Sequence, residues 1–334
     1  MAGDRDLAVS FAQAYFPART ASGWEMLSAT GVRGLRLLHE SGRFRSMLLT
    51  EAQPEAAELL AANAAAFPGA IARGADAHDP PREGPFDYVD VDPYGSPLPF
   101  LDVAIASVRP GGVLAVTATD LMVLAGAQAA ACERLYGARP VRGRLGPEGG
   151  LRILWAALAR AARAHGRRVR PMLSFARGHH LRCYAALESD PDGVEDPVHR
   201  IEPSTWDGPA LGAGGPFGPL WLGPLGDPTV VARLKPPSAP AEPTQTPRWI
   251  TLLQAEVHVS RPFYYEANVL AGQLGLPSPA PKAAFLRELD ALGYRSAPTH
   301  ARPEGFRTEA PRKVVEEVAR RLAAGQSQKA RVRA

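Results

Sequence analysis

Short apolar runs recur through the first half of the chain, each followed by a helix-length segment, and few folds accommodate that rhythm. Residues 24–29, 47–50, 70–72, 86–91 and 112–118 read as strands, with an Ala-rich helix over 54–66. Residues 169–175 and 181–187 read as a closing pair. Apolar runs without polar alternation are buried on both faces, and strands spaced by helices form βαβ units around a mainly parallel sheet. The expected class is α/β, a doubly wound, Rossmann-like domain.

The second half changes character. Residues 188–248 hold few periodic runs and many Pro and Gly, ending in PPSAPAEPTQTP over 236–247, which reads as a linker or an extended surface crossing. Helical periodicity returns from Trp249, over 250–259, 267–274, 283–292 and 314–322. The expected division is a first domain over 1–190, a crossing over 191–248, and a smaller α+β domain over 249–334.

With 46% hydrophobic and 22% charged residues in 334, the chain can fill a core, which excludes wholesale disorder. No run approaches the ~20 apolar residues of a membrane span, and the start, MAGDRDLAV, lacks a signal peptide's apolar stretch. Cys132 and Cys183 have no paired spacing, which excludes a disulfide scaffold or a cysteine-rich zinc module and suits a cytoplasmic protein. The net charge of +4 conceals an uneven distribution. Residues 1–132 carry 9 Arg against 15 acids, whereas 133–182 carry 12 Arg against 2. A basic middle and a basic tail (8 cations against 3 acids over 307–334) are suited to phosphate.

In a doubly wound sheet, ligands sit outside the carboxyl ends of the strands. Ser28-Ala29-Thr30-Gly31-Val32-Arg33-Gly34 follows the first strand and lacks a full G-x-G-x-x-G pattern. Glu51 closes the second strand, where an acid can accept both ribose hydroxyls of an adenosine. Asp76 follows the third and could accept from an adenine amino group, with Ala77 offering its backbone N–H. The series fits an adenosine cofactor without a pyrophosphate cradle and favours S-adenosyl-L-methionine over NAD.

The most specific stretch is Asp90-Val91-Asp92-Pro93-Tyr94-Gly95-Ser96-Pro97. Two acids at alternate positions point the same way, and desolvation with mutual repulsion would raise a pKa. Pro93 and Pro97 stiffen the turn while Gly95 frees it. An acid-Pro-aromatic loop beside a cofactor pocket suits methylation of a planar exocyclic amine: the carboxylate accepts from the amine and the ring stacks on the base.

EMLSATGVRGLRLL, FDYVDVDPYGSPLPFLD, LAVTATDLMVLAG, GPLWLGPL, RPFYYEANVLAGQLG and SAPTHARPEGFRTEAP resemble segments of the tRNA guanine-N2 dimethyltransferase family, over most of residues 4–311. The resemblance implies a class I methyltransferase domain with a smaller α+β domain behind it, tRNA as partner, and N2-methylation of guanosine at position 26. By position, Asp92 resembles the family's catalytic acid and Tyr94 the aromatic stacked on guanine. Arg5, Arg33, Glu51, Asp76 and Ala77 match its cofactor positions, and Ser28 and Asp90 are assigned to the same site, Asp90 as a supporting acid. The methyl donor is already activated, so no metal is expected. Asp4 replaces the family's Asn. The family's stretch ahead of Asn-Arg-Asp has no counterpart after Met1, so the expectation is either a translation start further upstream or a more open site. The four-cysteine zinc cluster of many relatives has no cysteines here.

Other residues follow from their positions. Pro93, Thr117 and Asp120 are expected to support the loop or line the base pocket. Arg142, Arg144, Arg167, Arg168 and Arg170 are assigned to tRNA backbone, as is Arg307, with Arg320 and Arg321 beside a packed helical face. His179 and His180 face opposite sides of a strand and read as single histidines, not a metal pair. Phe263-Tyr264-Tyr265 and both cysteines read as core, and the oligomeric state stays open, with a monomer favoured. Competing readings are a methyltransferase acting on an amino group of another RNA or DNA, and an RNA-binding relative without catalysis.

Overall fold

The computed structural model describes residues 2–189 and 194–333. Seven strands form one sheet: β1 (Ala21–Glu25), β2 (Phe44–Glu51), β3 (Ala70–Gly74), β4 (Phe86–Val91), β5 (Val108–Ala118), β6 (Arg167–Arg177) and β7 (His180–Ser189). Their order is β3-β2-β1-β4-β5-β7-β6, the first five parallel and β7 antiparallel to both neighbours. The order reverses between β1 and β4, which opens a crevice at their carboxyl ends.

Helices cover both faces. On one face α1 (Ala2–Tyr15), α2 (Val32–Glu40) and α3 (Pro54–Ala64) bury Phe11, Leu37 and Leu60 against Met47, Leu49 and Tyr88. On the other, α4 (Leu101–Ser107), α5 (Leu121–Leu124), α6 (Ala129–Tyr136) and α7 (Gly146–Ala164) bury Leu151, Leu154 and Leu158 against Leu48, Val89, Val91 and Val116. Alternate residues of β2 and β4 therefore serve opposite cores, which is why Met47–Thr50 and Tyr88–Val91 are buried without a break.

The first strand is displaced from its sequence expectation. It begins at Ala21 and ends at Glu25. The Ser28 hydroxyl donates to the Glu25 carbonyl at 2.9 Å, Gly31 N–H to the Ser28 carbonyl at 2.7 Å, and Ala29 and Gly31 adopt positive φ of 47° and 79°. That turn lifts residues 26–30 out of the strand. Its start, Ala-Ser-Gly, has little intrinsic strand preference, and Asp87 anchors it by accepting from Ser22 N–H at 2.7 Å and its hydroxyl at 3.1 Å. The closing pair runs one or two residues longer at each end than the apolar pattern indicates.

The expected boundary at 190/191 lies outside the described residues. The stretch read as a crossing contains an antiparallel ribbon, β8 (Val198–Ile201) with β9 (Phe217–Trp221), and a turn of helix, α8 (Pro228–Val231). The ribbon packs on α7, with Trp221 5.9 Å from Trp155. Its Pro-rich end is tied down at one buried carboxylate: Asp6 accepts from Ala241 N–H, Glu242 N–H and the Thr246 hydroxyl at 2.9, 3.0 and 2.7 Å. The next helix, α9 (Gln245–Glu256), buries Ile250 and Leu253 in the same core as Phe11.

A smaller unit follows, with strands β10 (Tyr265–Glu266), β11 (Ser296–Pro298) and β12 (Gly305–Thr308) in the order β10-β12-β11. Helices α10 (Ala267–Gln273), α11 (Lys282–Ala291) and α12 (Arg312–Arg333) cover it around Phe285, Leu289, Phe306, Val315 and Val318. Among the described residues no helix is long and apolar enough to cross a membrane.

Candidate active site

At the carboxyl ends of β1, β2 and β4 lies an open cleft of about 410 Å³, lined by Arg5, Glu25, Ser28, Arg33, Glu51, Asp92, Pro93 and Tyr94 among others. The loop after β4 forms one wall and is held rigidly. Gly95, at φ 92°, donates its N–H to the Thr119 hydroxyl at 2.6 Å and accepts from Thr119 N–H at 2.9 Å. The Ser96 and Tyr136 hydroxyls meet at 2.8 Å, and Tyr136 donates to Asp120 at 2.8 Å. Fastened on both sides, the loop leaves the Tyr94 ring fully exposed at the mouth.

Beneath the loop the two acids of the motif have different surroundings. Asp92 is 14% exposed, and its Oδ2 lies 2.6 Å from Arg33 Nη2. Asp90 is wholly buried and pairs with Arg33 at 3.1 Å and with Arg182 at 2.6 Å. Burial would raise its pKa, but the guanidiniums of Arg182 and Arg33 outweigh burial and hold it at about 2. The raised pKa expected of this motif is therefore not at Asp90, because two cations lie below the strand. It falls on Glu25, where burial, reinforced by Asp90, pushes the carboxyl up to about 8 while Gly34 N–H donates to it at 3.0 Å.

The other wall is the turn after β1 together with the end of β2. Glu51 accepts from Ala29 N–H at 2.8 Å and Gln53 N–H at 2.9 Å, so the carboxylate is fixed at the cleft edge. Ser28 is buried beside it, and Arg5 reaches the cleft from α1. Asp76 and Ala77 do not line the cleft: Asp76 is exposed and turned onto His78, whose ring stacks 4.8 Å from the cleft residue Phe100. Thr117 is buried below, accepting from Arg182 at 2.7 Å.

The assigned arginines separate. Arg142 and Arg144 line a second groove with Tyr264 and Glu266, at the junction of the two units, Arg144 pairing with Glu266 at 2.5 Å. Arg167, Arg168 and Arg170 lie at the opposite end of the sheet from the cleft. There Arg167 donates to the carbonyls of Ile105, Val108 and Arg109, Arg168 faces Asp196, and Arg170 pairs with Glu188 and Asp227. Arg307 is a correction. It is 5% exposed and bound to Glu148 and Glu256, so no phosphate can reach it. Arg320 and Arg321 pair with Glu316 and Glu288. His180 is buried against Asp4 at 3.1 Å, while Phe263, Tyr264, Tyr265 and both cysteines lie in the core.

Two cleft residues, Glu25 and Thr119, and one buried beneath the cleft, Arg182, escaped sequence reasoning. Glu25 sits inside an apolar run, Thr119 neighbours the Thr117 that was chosen instead, and Arg182 interrupts an otherwise apolar strand, which was the available signal for it.

A sequence profile of the N2,N2-dimethylguanosine tRNA methyltransferases matches residues 1–202 and 212–320. The tRNA (guanine(26)-N(2))-dimethyltransferase of Thermococcus kodakarensis is 33% identical over 348 residues, covering 95% of this chain and 91% of that protein. Its namesake from Pyrobaculum arsenaticum is 33% identical over 334 residues, covering 96% and 89%. The structure of Trm1 from Pyrococcus horikoshii with S-adenosyl-L-methionine superposes with a TM-score of 0.84 at 26% identity, covering 95% of this chain and 92% of that one.

Proposed function

The chain belongs to the N2,N2-dimethylguanosine tRNA methyltransferase family, and from that premise we propose that it dimethylates N2 of guanosine 26 in tRNA, in the cytoplasm, with the chemistry centred on Asp92. The observation that carries this reading is a carboxylate on a stiffened loop, held by Arg33 at the cleft floor, with an exposed tyrosine beside it. Its cofactor is S-adenosyl-L-methionine, and the cleft fits it. Glu51, held at the cleft edge by two backbone N–H groups, would accept from ribose hydroxyls, and Glu25, a buried carboxyl that among the described residues bonds to no cation, suits a positive ligand. When bound, the cofactor supplies an electrophilic methyl on a cationic sulfur.

The protein's own residues supply alignment and a proton acceptor. Asp92 Oδ2 is tied to Arg33, so Oδ1 is the oxygen left to take the proton from N2. Tyr94 receives the face of a guanine turned out of its stack. Arg142 and Arg144, at the inter-unit groove, meet backbone phosphates, which makes affinity salt-dependent without conferring sequence preference.

The test is methylation of an unmodified tRNA transcript with labelled S-adenosyl-L-methionine, followed by nucleoside mass spectrometry. N2-methylated guanosine is expected, and none from a transcript carrying adenosine at position 26. Label in any other nucleoside overturns the assignment.

Glu25 gives a second expectation. With its pKa at about 8 the carboxyl is protonated at neutral pH, and a cationic ligand in the cleft favours the charged form. Cofactor binding at pH 7 should release up to about one proton, and affinity should rise as pH approaches 8. Calorimetry in buffers of different ionisation enthalpy measures the release. Equal enthalpies in all buffers, or the same release from Glu25→Gln, would exclude Glu25 as its source.

A further inference from the structure

Below the cleft runs a chain of charges that proton transfer to Asp92 does not by itself require. Arg182, on β7, grips Asp90 with both arms of its guanidinium, Nη1 to Oδ1 at 2.8 Å and Nη2 to Oδ2 at 2.6 Å. Nη1 also donates to the Thr117 hydroxyl at 2.7 Å, and the guanidinium lies 4.7 Å over the Tyr184 ring. Tyr88 donates a further bond to Asp90 at 2.5 Å. Arg33 bridges Asp90 and Asp92 at 3.1 and 2.6 Å. From β7 to the cleft the charges alternate in sign, and side-chain exposure runs 2%, 0%, 7% and 14%, so the last link, Asp92, is the most open to solvent.

Stability alone does not account for such a chain. Apolar residues of equal volume commonly stabilise a core as well as buried ion pairs do, and removing one partner from a pair is costly. We propose that Arg182 is a positioning residue for the reaction, acting through Asp90 and Arg33 to set the charge and aim of the Asp92 carboxylate. The proposal rests on the reading of Asp92 as the proton acceptor.

With Arg182 present, Asp90 is satisfied from below and Arg33 is free to be shared. Without it, Arg33 is the remaining buried cation for Asp90, and its fork turns away from Asp92. Removing the charge of Asp90 instead gives Arg33 wholly to Asp92 and weakens it as an acceptor. The titratable and charged groups facing Asp92 are Arg33 from α2, Glu25 at the end of β1, Glu51 on β2 and Arg5 from α1, with Asp90 and Arg182 beneath and Tyr88, Tyr94 and Tyr184 as the nearby phenols.

The test reads the acid limb of single-turnover methylation at saturating cofactor and tRNA, with folding checked by thermal melting and cofactor binding by calorimetry. Loss of a nearby cation in Arg182→Met moves the limb to higher pH, and loss of a nearby anion in Asp90→Asn moves it to lower pH, each by roughly one unit. Arg182→Lys stays near the parent, and the double variant Arg182→Met/Asp90→Asn returns toward it. A residue that only props the strand would slow both single variants without moving their limbs in opposite senses. Limbs that stay in place, or move together, overturn the proposal. Should Arg182→Met not fold, Asp90→Asn against the double variant decides it by the same signs. Asp92→Asn is measured alongside, and full activity there would overturn the acceptor reading, an outcome distinct from failure of the relay.

Discussion

Asp92→Asn should lower the single-turnover methylation rate by roughly 10²–10⁴-fold, the range for loss of a positioned acid–base group. Asparagine keeps the shape of the side chain and its carbonyl can still accept from Arg33 Nη2, now 2.6 Å from the carboxylate, but it cannot take up a proton. No other carboxylate of the cleft can stand in. Glu25 is neutral near pH 7, with its pKa at about 8, and Glu51 is engaged by the N–H groups of Ala29 and Gln53. Cofactor affinity should hold, and stability should fall by about 1 kcal/mol at most, because Arg33 keeps Asp90. Rapid-quench measurement under single-turnover conditions, with a urea melt beside it, separates the two effects. A rate within tenfold of the parent would remove Asp92 from the proton-accepting role.

The loop that bears Asp92 was legible because its constraints are local. The segment FDYVDV, closed by Asp-Pro, defines β4 at Phe86–Val91, the span expected from the sequence. What escaped was set by contacts remote in sequence. Strand β1 owes its start to Ser22 bonded to Asp87, 65 residues away, which no propensity of Ala-Ser-Gly reports. Arg182 and Asp90 are 92 positions apart, and Arg307 and Glu148 are 159 apart. Block charge misled for the same reason. The arginine-rich middle of the chain meets acids from elsewhere, Arg163 with Asp196, Arg170 with Asp227 and Arg177 with Glu242, so a strongly basic segment does not become a basic surface. Arg142 and Arg144 remain at an accessible groove, where Arg144 pairs with Glu266.

The largest loss of stability should follow Glu148→Ala. Glu148, on α7, accepts from Arg152 at 2.8 Å, from Arg307 of β12 at 2.7 Å and from Phe263 N–H at 2.7 Å, all buried. One carboxylate thus joins the methyltransferase unit to the smaller one and holds Phe263 at its left-handed φ of 67°. Burial would raise its pKa, but Arg307 and Arg152 hold it at about 2, and His300 with Arg307 does the same for Glu256. Deleting Glu148 leaves Arg152 with the carbonyls of Trp221 and Gly223 but with no carboxylate among the described residues, so about 3–5 kcal/mol should be lost. Arg307→Ala should cost less, because Glu148 keeps Arg152 and Glu256 keeps His300 and Thr299. Both carboxylates have depressed folded pKa values, so their contribution is full above about pH 4.5, the unfolded value, and is lost as pH falls toward 2. Urea unfolding at pH 7 and pH 4 measures both claims. The gap between parent and Glu148→Ala should be widest at pH 7 and narrower at pH 4, and an equal gap at both would show that packing, not charge, accounts for the loss.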